Sequence, residues 1–201
     1  MNPLPRHQCF VYEGAPSVYL TSVARVLCEK LAENWRCLYL NSPSMSEGMR
    51  TCLAAHGVDV ELATRRGSLV FSSERRQLVH GHFDVETMIK SLADALEQAL
   101  HDGYAGLFAT GDMTWEFGSG ADFAQLVEYE WQVEDFLRAH SEISAICQYH
   151  ADTLPAEVLR HGLATHPEIF INETLSLINP RFAHPRFGAG QSNDPPSAPA
   201  A

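Results

Sequence analysis

The 201 residues contain no Cys-x-x-Cys pair, no Gly-Lys-Ser/Thr phosphate loop, no Gly-x-Ser-x-Gly nucleophile elbow and no internal repeat. Each absence removes a class of function. Five scattered cysteines (Cys9, Cys28, Cys37, Cys52, Cys147) build neither a zinc ribbon nor a disulfide framework, and this usage fits a reduced, cytoplasmic protein. No apolar run approaches the roughly 18 residues of a membrane span. The opening Met1-Asn2-Pro3-Leu4-Pro5-Arg6 lacks the apolar core of a signal peptide, so a soluble, unexported chain is expected. Basic residues are scarce too. Lysine and arginine total 14 against 25 acidic residues, for a formal charge of −11, and only Arg65-Arg66 and Arg75-Arg76 cluster. A nucleic-acid surface is therefore not expected.

What the chain does have is apolar material, 45% of its residues, arranged in alternating short runs and helical periods. Strands are expected near residues 8–12, 37–41, 68–72, 104–110, 143–149 and 168–172. Between them, Leu20, Val23, Ala24, Leu27 and Leu31 recur at helical spacing, as do Met88, Ile89, Leu92, Leu96 and Leu100. Ser44 with Glu47 fits a capping box; Asp59, Asp84 and Thr153 are candidate N-caps, the first opening a short helix in preference to a hairpin at Arg65-Arg66-Gly67. Six strands alternating with helices predict an α/β fold of three layers, a mostly parallel sheet covered on both faces. One domain is expected over residues 1–180. The remainder, 181–201, is too rich in Gly, Pro and small polar residues to bury a core and reads as a flexible tail.

Open α/β sheets bind ligands at the carboxyl ends of their strands. The loop after the first strand, Glu13-Gly14-Ala15-Pro16-Ser17, lacks the lysine and clustered glycines that polyphosphate requires. Its surroundings offer His7, Cys9 and Tyr12 instead. Asp112 and Trp115 follow the fourth strand, and Cys147 and Tyr149 lie in the fifth, which suggests the lip of a small, largely apolar pocket. On strands, His7 shares a face with Cys9, and Cys147 with Tyr149. A cysteine–histidine metal site would require these strands to be neighbours, and no metal is expected. His80-Gly81-His82 reads as a solvated loop, because two imidazoles rarely suffice for a metal. Glu128, Glu130, Glu134 and Asp135 read as the solvated face of a helix. Asp112 closes an apolar strand like a Walker B aspartate, without a lysine loop to serve. No catalytic residue is assigned.

His7-x-Cys9-x-x-Tyr12, the strand Arg36-Cys37-Leu38-Tyr39-Leu40, Gly103-Tyr104 leading to Thr110-Gly111-Asp112-Met113-Thr114-Trp115, Ile146-Cys147-Gln148-Tyr149 and His166-Pro167 occur in this order. Together they resemble the methanogen/methylotroph sensory (MEDS) domain, first associated with the dichloromethane-responsive regulator, over about residues 6–178. The resemblance implies a RecA/KaiC-like fold with a decayed phosphate loop and a sensory role toward small hydrocarbon derivatives. It also implies that the strand bearing Cys147 and Tyr149 lies beside the one bearing His7 and Cys9.

The expectation is a stand-alone cytosolic sensor. A small organic ligand would bind among His7, Cys9, Tyr12, Asp112, Trp115, Cys147 and Tyr149, with no cofactor, and binding would be relayed to a signalling or regulatory protein partner. Neither a helix-turn-helix before His7 nor a second domain after Arg181 is expected. RecA relatives assemble, so a homo-oligomer is compatible with this reading, as is an acidic monomer. The alternatives are a protein-interaction scaffold derived from a RecA-like ATPase and, more weakly, an ATP- or metal-dependent enzyme.

Overall fold

A computed structural model describes residues 6–72, 78–79, 82–113 and 123–184. Its centre is a sheet of seven strands in the order β3-β2-β6-β7-β1-β8-β9. In chain order these are β1 (His7–Tyr12), β2 (Arg36–Leu40), β3 (Leu69–Ser72), β6 (Leu107–Asp112), β7 (Ile143–His150), β8 (Glu168–Asn172) and β9 (Leu175–Ile178). Two short strands, β4 (Leu78–Val79) and β5 (His82–Phe83), form a separate antiparallel pair. All pairings in the main sheet are parallel except β8 with β9. The six expected strands are present, and β9 adds an antiparallel edge that its short, polar-interrupted run did not announce.

The central strands are buried along nearly their whole length, which is why they read as continuous apolar runs instead of alternating ones. On one face lie α1 (Pro16–Ala32), α2 (Pro43–Ala55) and α3 (Val60–Arg66). Their core joins Leu20, Val23, Leu27, Met49 and Leu53 to Phe10, Tyr12, Tyr39 and Ile146. The other face is covered by α4 (Val85–His101), α5 (Phe123–Ala139) and α6 (Ala156–Thr165). There Met88, Leu92, Leu96, Leu126, Val133 and Leu137 pack on Cys9, Leu107, Ala109 and Cys147.

Local signals account for most helix ends. Asp59 accepts from the Leu62 N–H at 2.9 Å, and Gly67 closes α3 with φ of +73°, so the helix prevails over the hairpin. Asp84 accepts from Thr87 N–H at 2.9 Å and opens α4. Two expected caps are corrected. Ser42, not Ser44, caps α2, because Pro43 fits the first helical position and moves the start two residues earlier. Thr153 donates to the His150 carbonyl at 3.2 Å within a turn, and α6 begins after Pro155 with no side-chain cap.

Packing continues through His184, which is buried, has its Nε2 3.1 Å from Asp135 Oδ1 and lies edge-on to Trp131. Residues 185–201, the greater part of the expected tail, lie outside the described residues. Among the described residues no helix is long and apolar enough to cross a membrane.

Candidate functional site

The parallel register of β1 and β7 sets Cys9 opposite Cys147, with His7 opposite Ala145 and Val11 opposite Tyr149. The expected neighbourhood is thus formed, and pleating sends His7, Cys9, Cys147 and Tyr149 to the α4–α6 face. Helix α5 completes it. Leu126, Glu130, Val133 and Leu137 follow one another at steps of three and four, and Glu134 lies four after Glu130 and three before Leu137, so two carboxylates ride the inward stripe with the leucines and valine. Glu130 is 1% and Glu134 2% exposed. The expectation of a solvated acidic face is corrected for these two; Glu128 does face solvent. A seventh residue, His166, enters from the junction of α6 and β8 and is fully buried.

Hydrogen bonds fix this cluster from outside. His7 Nδ1 lies 3.0 Å from Glu134 Oε2, so the ring proton sits on Nδ1 and points at the carboxylate. His166 Nδ1 lies 2.6 Å from the Gly162 carbonyl, one of the orphan acceptors at the end of α6. Both rings therefore turn Nε2 inward, with centroids 3.9 Å apart. The Tyr149 hydroxyl donates to Glu130 Oε1 at 2.5 Å. Around the centre, His7 Nε2 is 3.7 Å from Cys147 Sγ and 3.7 Å from Glu130 Oε2, and His166 Nε2 is 3.5 Å from that same oxygen. Glu130 Oε2 and His166 Nε2 are both buried without a hydrogen-bond partner.

Burial dominates the electrostatics. It lowers the His7 pKa to about 3 and pushes that of His166 well below the usual histidine value, His7 adding to the latter effect, so both rings are neutral. Burial raises Glu130 to about 7, against the opposing hydrogen bonds of Tyr149 and Cys147. The Cys9 thiol is held protonated by burial and by the Glu130 charge. Among the described residues, His7, Glu130, Cys147 and His166 offer four potential metal-ligand atoms, all within 4.8 Å of one another.

Beside the cluster lies an apolar cavity of about 30 Å³ between β6–β7 and α4–α5. Met88, Leu92, Met113, Tyr129 and Val133 wall it, and Cys147 belongs to both wall and cluster. At this volume it has room for little more than one or two water-sized groups, so a nucleotide does not fit and a guest of a few heavy atoms must widen it.

Tyr12 and Asp112 fall elsewhere. They project to the α1–α2 side at the carboxyl edge, where the Tyr12 hydroxyl donates to Asp112 Oδ2 at 2.7 Å. The Tyr12 ring stacks on His150 with centroids 4.9 Å apart and 9° between planes. In the loop that follows, Gly14 has φ of +77° and its N–H donates to Asp152 Oδ2 at 2.7 Å. His150 Nε2 contacts the Gly14 carbonyl at 2.9 Å. The Gly14 N–H, in the loop that leads into the N-terminus of α1, thus meets the chain's own carboxylate. Trp115 lies outside the described residues, as do His80 and Gly81.

Sequence reasoning missed Glu130, Glu134 and His166. For the glutamates a signal existed in their phase with Leu126, Val133 and Leu137. His166 lies far along the chain from His7, and only the position of β8 beside β1 brings it in.

Comparison with known proteins agrees with this architecture. A KaiC-like protein, PH0186, from Pyrococcus horikoshii OT3 superposes with a TM-score of 0.57 at 12% identity, over 82% of this chain and 69% of that one. The flagellar accessory protein FlaH of Methanocaldococcus jannaschii gives 0.56 at 13% identity, over 82% and 70%. At such identities the likeness is one of fold, RecA/KaiC-like, and no curated protein matches in sequence. Residues 6–167 match the MEthanogen/methylotroph, DcmR Sensory domain. The chain belongs to the MEDS family of sensory domains.

Proposed function

We propose that the protein is a non-catalytic sensor that takes a small, weakly polar organic molecule into the cavity between β6–β7 and α4–α5 and relays occupancy to a partner protein. The observation that carries the reading is the cavity itself, apolar, small and bordered by Cys147 of the polar cluster. Family membership supports a sensory role. Of the seven residues expected to bind ligand, Cys147 stands on the cavity wall, His7, Cys9 and Tyr149 stand behind it, and Tyr12 and Asp112 belong to the opposite face.

A path for the relay starts at His166. Its carbonyl accepts from the Asn179 amide at 2.7 Å, which ties the cluster to the β8–β9 hairpin. That hairpin exposes Ile171, Leu175, Leu177 and Ile178, the last at 87%. A ligand signals only through different affinities for two arrangements of such an element.

Thermal-shift and calorimetric titration of the full chain with dichloromethane, short alcohols and short alkyl halides tests the reading. Saturable stabilisation is expected, and Ala109→Val, which narrows the cavity, should abolish it while leaving the fold intact. Stabilisation by none of these compounds, or equal stabilisation of the variant, would overturn it.

A second reading, an interaction scaffold with nothing bound at the ancestral nucleotide position, draws support from the carboxyl edge. There Tyr12 donates to Asp112, His150 stacks on Tyr12, and Asp152 accepts from the Gly14 N–H. Titration with ATP and magnesium should give no heat in either case.

A further inference from the structure

Four donors converge on one buried point with nothing between them. We propose that His7 Nε2, Glu130 Oε2, Cys147 Sγ and His166 Nε2 bind one divalent transition-metal ion, zinc by the character of the donor set. This departs from the expectation of no metal, and it stands whether or not the neighbouring cavity takes an organic ligand.

Three observations carry it. The first is spacing. Ligand atoms around a tetrahedral zinc at bond lengths of roughly 2.0–2.3 Å stand roughly 3.3–3.8 Å apart. Three separations here, 3.5, 3.7 and 3.7 Å, already fall in that range. None of the ligand-atom separations exceeds 4.8 Å.

The second is the outer shell. Metal-binding histidines donate their other ring N–H to a carboxylate or carbonyl, which fixes the tautomer and aims the lone pair. His7 does so to Glu134 and His166 to the Gly162 carbonyl. Tyr149 holds the far oxygen of Glu130 in the same way and leaves Oε2 for the ion. These are positioning residues, each already in place.

The third is the cost of the site when nothing fills it. Glu130 Oε2 and His166 Nε2 are buried without partners, and buried polar atoms are rarely left so. A divalent ion satisfies both. With Glu130 as carboxylate and Cys147 as thiolate, the two negative charges balance the ion, so the filled site is neutral in a region where an unpaired charge would be expensive. Four protein donors and no access for water describe a closed site, filled as the chain folds.

The opposite groove, between α1 and the β8–β9 hairpin, also holds unpartnered buried atoms, Ser144 Oγ and Glu168 Oε2. Among the described residues, the group of three or more metal-ligating side chains is that of His7, Glu130, Cys147 and His166, and this groove holds none of them.

The test is metal analysis of the untagged full chain, purified without chelator from zinc-supplemented cells, then X-ray absorption at the zinc edge. About one zinc per chain is expected, with one sulfur and three nitrogen or oxygen neighbours. The cobalt-substituted protein should show tetrahedral visible bands and a sulfur-to-cobalt charge-transfer band. Cys147→Ser should lose that band and Cys9→Ser should keep it. Glu134→Gln should weaken zinc binding about 10–100-fold with the cobalt spectrum displaced. Because absorption is read on the unaltered chain, a variant that fails to fold does not decide the matter. No metal retained or taken up on refolding with zinc, a shell without sulfur, or a band that follows Cys9 instead of Cys147 would overturn the proposal.

Discussion

The two faces of the sheet each gather a group of His, Tyr and carboxylate side chains, and they use them differently. At the carboxyl edge, on the α1–α2 side, Tyr12 donates to Asp112, His150 stacks on Tyr12, and Asp152 caps the Gly14 N–H. On the α5–α6 side, His7, Glu130, Cys147 and His166 are equally well anchored from behind, yet two of their inward atoms meet no partner. A satisfied network holds a structure together. An oriented but unsatisfied one marks a place kept for something else. The carboxyl edge beside α1 is of the first kind, and the candidate site on the opposite face of the sheet is of the second.

The sharpest way to break this contrast is on α5 itself. Glu134→Ala leaves the buried His7 N–H without its acceptor and should cost about 3 kcal/mol, read by urea denaturation. Glu128→Ala, on the exposed face of the same helix, should change stability by no more than about 0.5 kcal/mol. Equal effects would mean that Glu134 is as solvated as its neighbour.

Gly162→Ala comes next. A Cβ there would stand 2.7 Å from the Tyr149 ring, with a second ring atom at 2.8 Å. We expect a loss of about 2 kcal/mol from overpacking, together with weaker zinc retention, because Tyr149 positions Glu130. Tyr12→Phe removes the hydrogen bond to Asp112 and should cost about 1.5 kcal/mol with zinc content unchanged. Loss of metal in Tyr12→Phe would show that the two faces are coupled.

The smallest effect belongs to the surface. Asp102 accepts hydrogen bonds from Arg36, His101 and Gln98, which hold its carboxyl below the usual range. A depressed acid stabilises the fold above its unfolded value, and that contribution fades as pH falls through the folded value. Asp102→Asn should therefore lower the melting temperature slightly near neutrality and lose its effect below about pH 4. A difference that persisted in acid would point to the hydrogen bonds alone.

Much of the fold was legible because fully buried parallel strands and amphipathic helices leave different periods in the chain. Asp59, Asp84 and Gly67 marked their helix ends through side-chain chemistry that acts within three residues. β9 was not legible, since a short edge strand half open to solvent has neither a continuous apolar run nor clean alternation. Half of the candidate site was visible as His7, Cys9, Cys147 and Tyr149, because strand pleating makes residues two apart share a face. Glu130 and Glu134 were hidden by their charge, which argues for solvent unless the helical phase is weighed above it. His166 could be placed only by tertiary topology, which sets β8 beside β1.

The methionine methyl spectrum of the full chain tests the asymmetry of the two faces most directly. Met88 and Met113 line the cavity, whereas Met45 and Met49 belong to the α1–α2 core. Titration with dichloromethane should move the Met88 and Met113 resonances saturably and leave Met45 and Met49 in place. Shifts confined to Met45 and Met49, or no saturable shift at any methionine, would contradict the account.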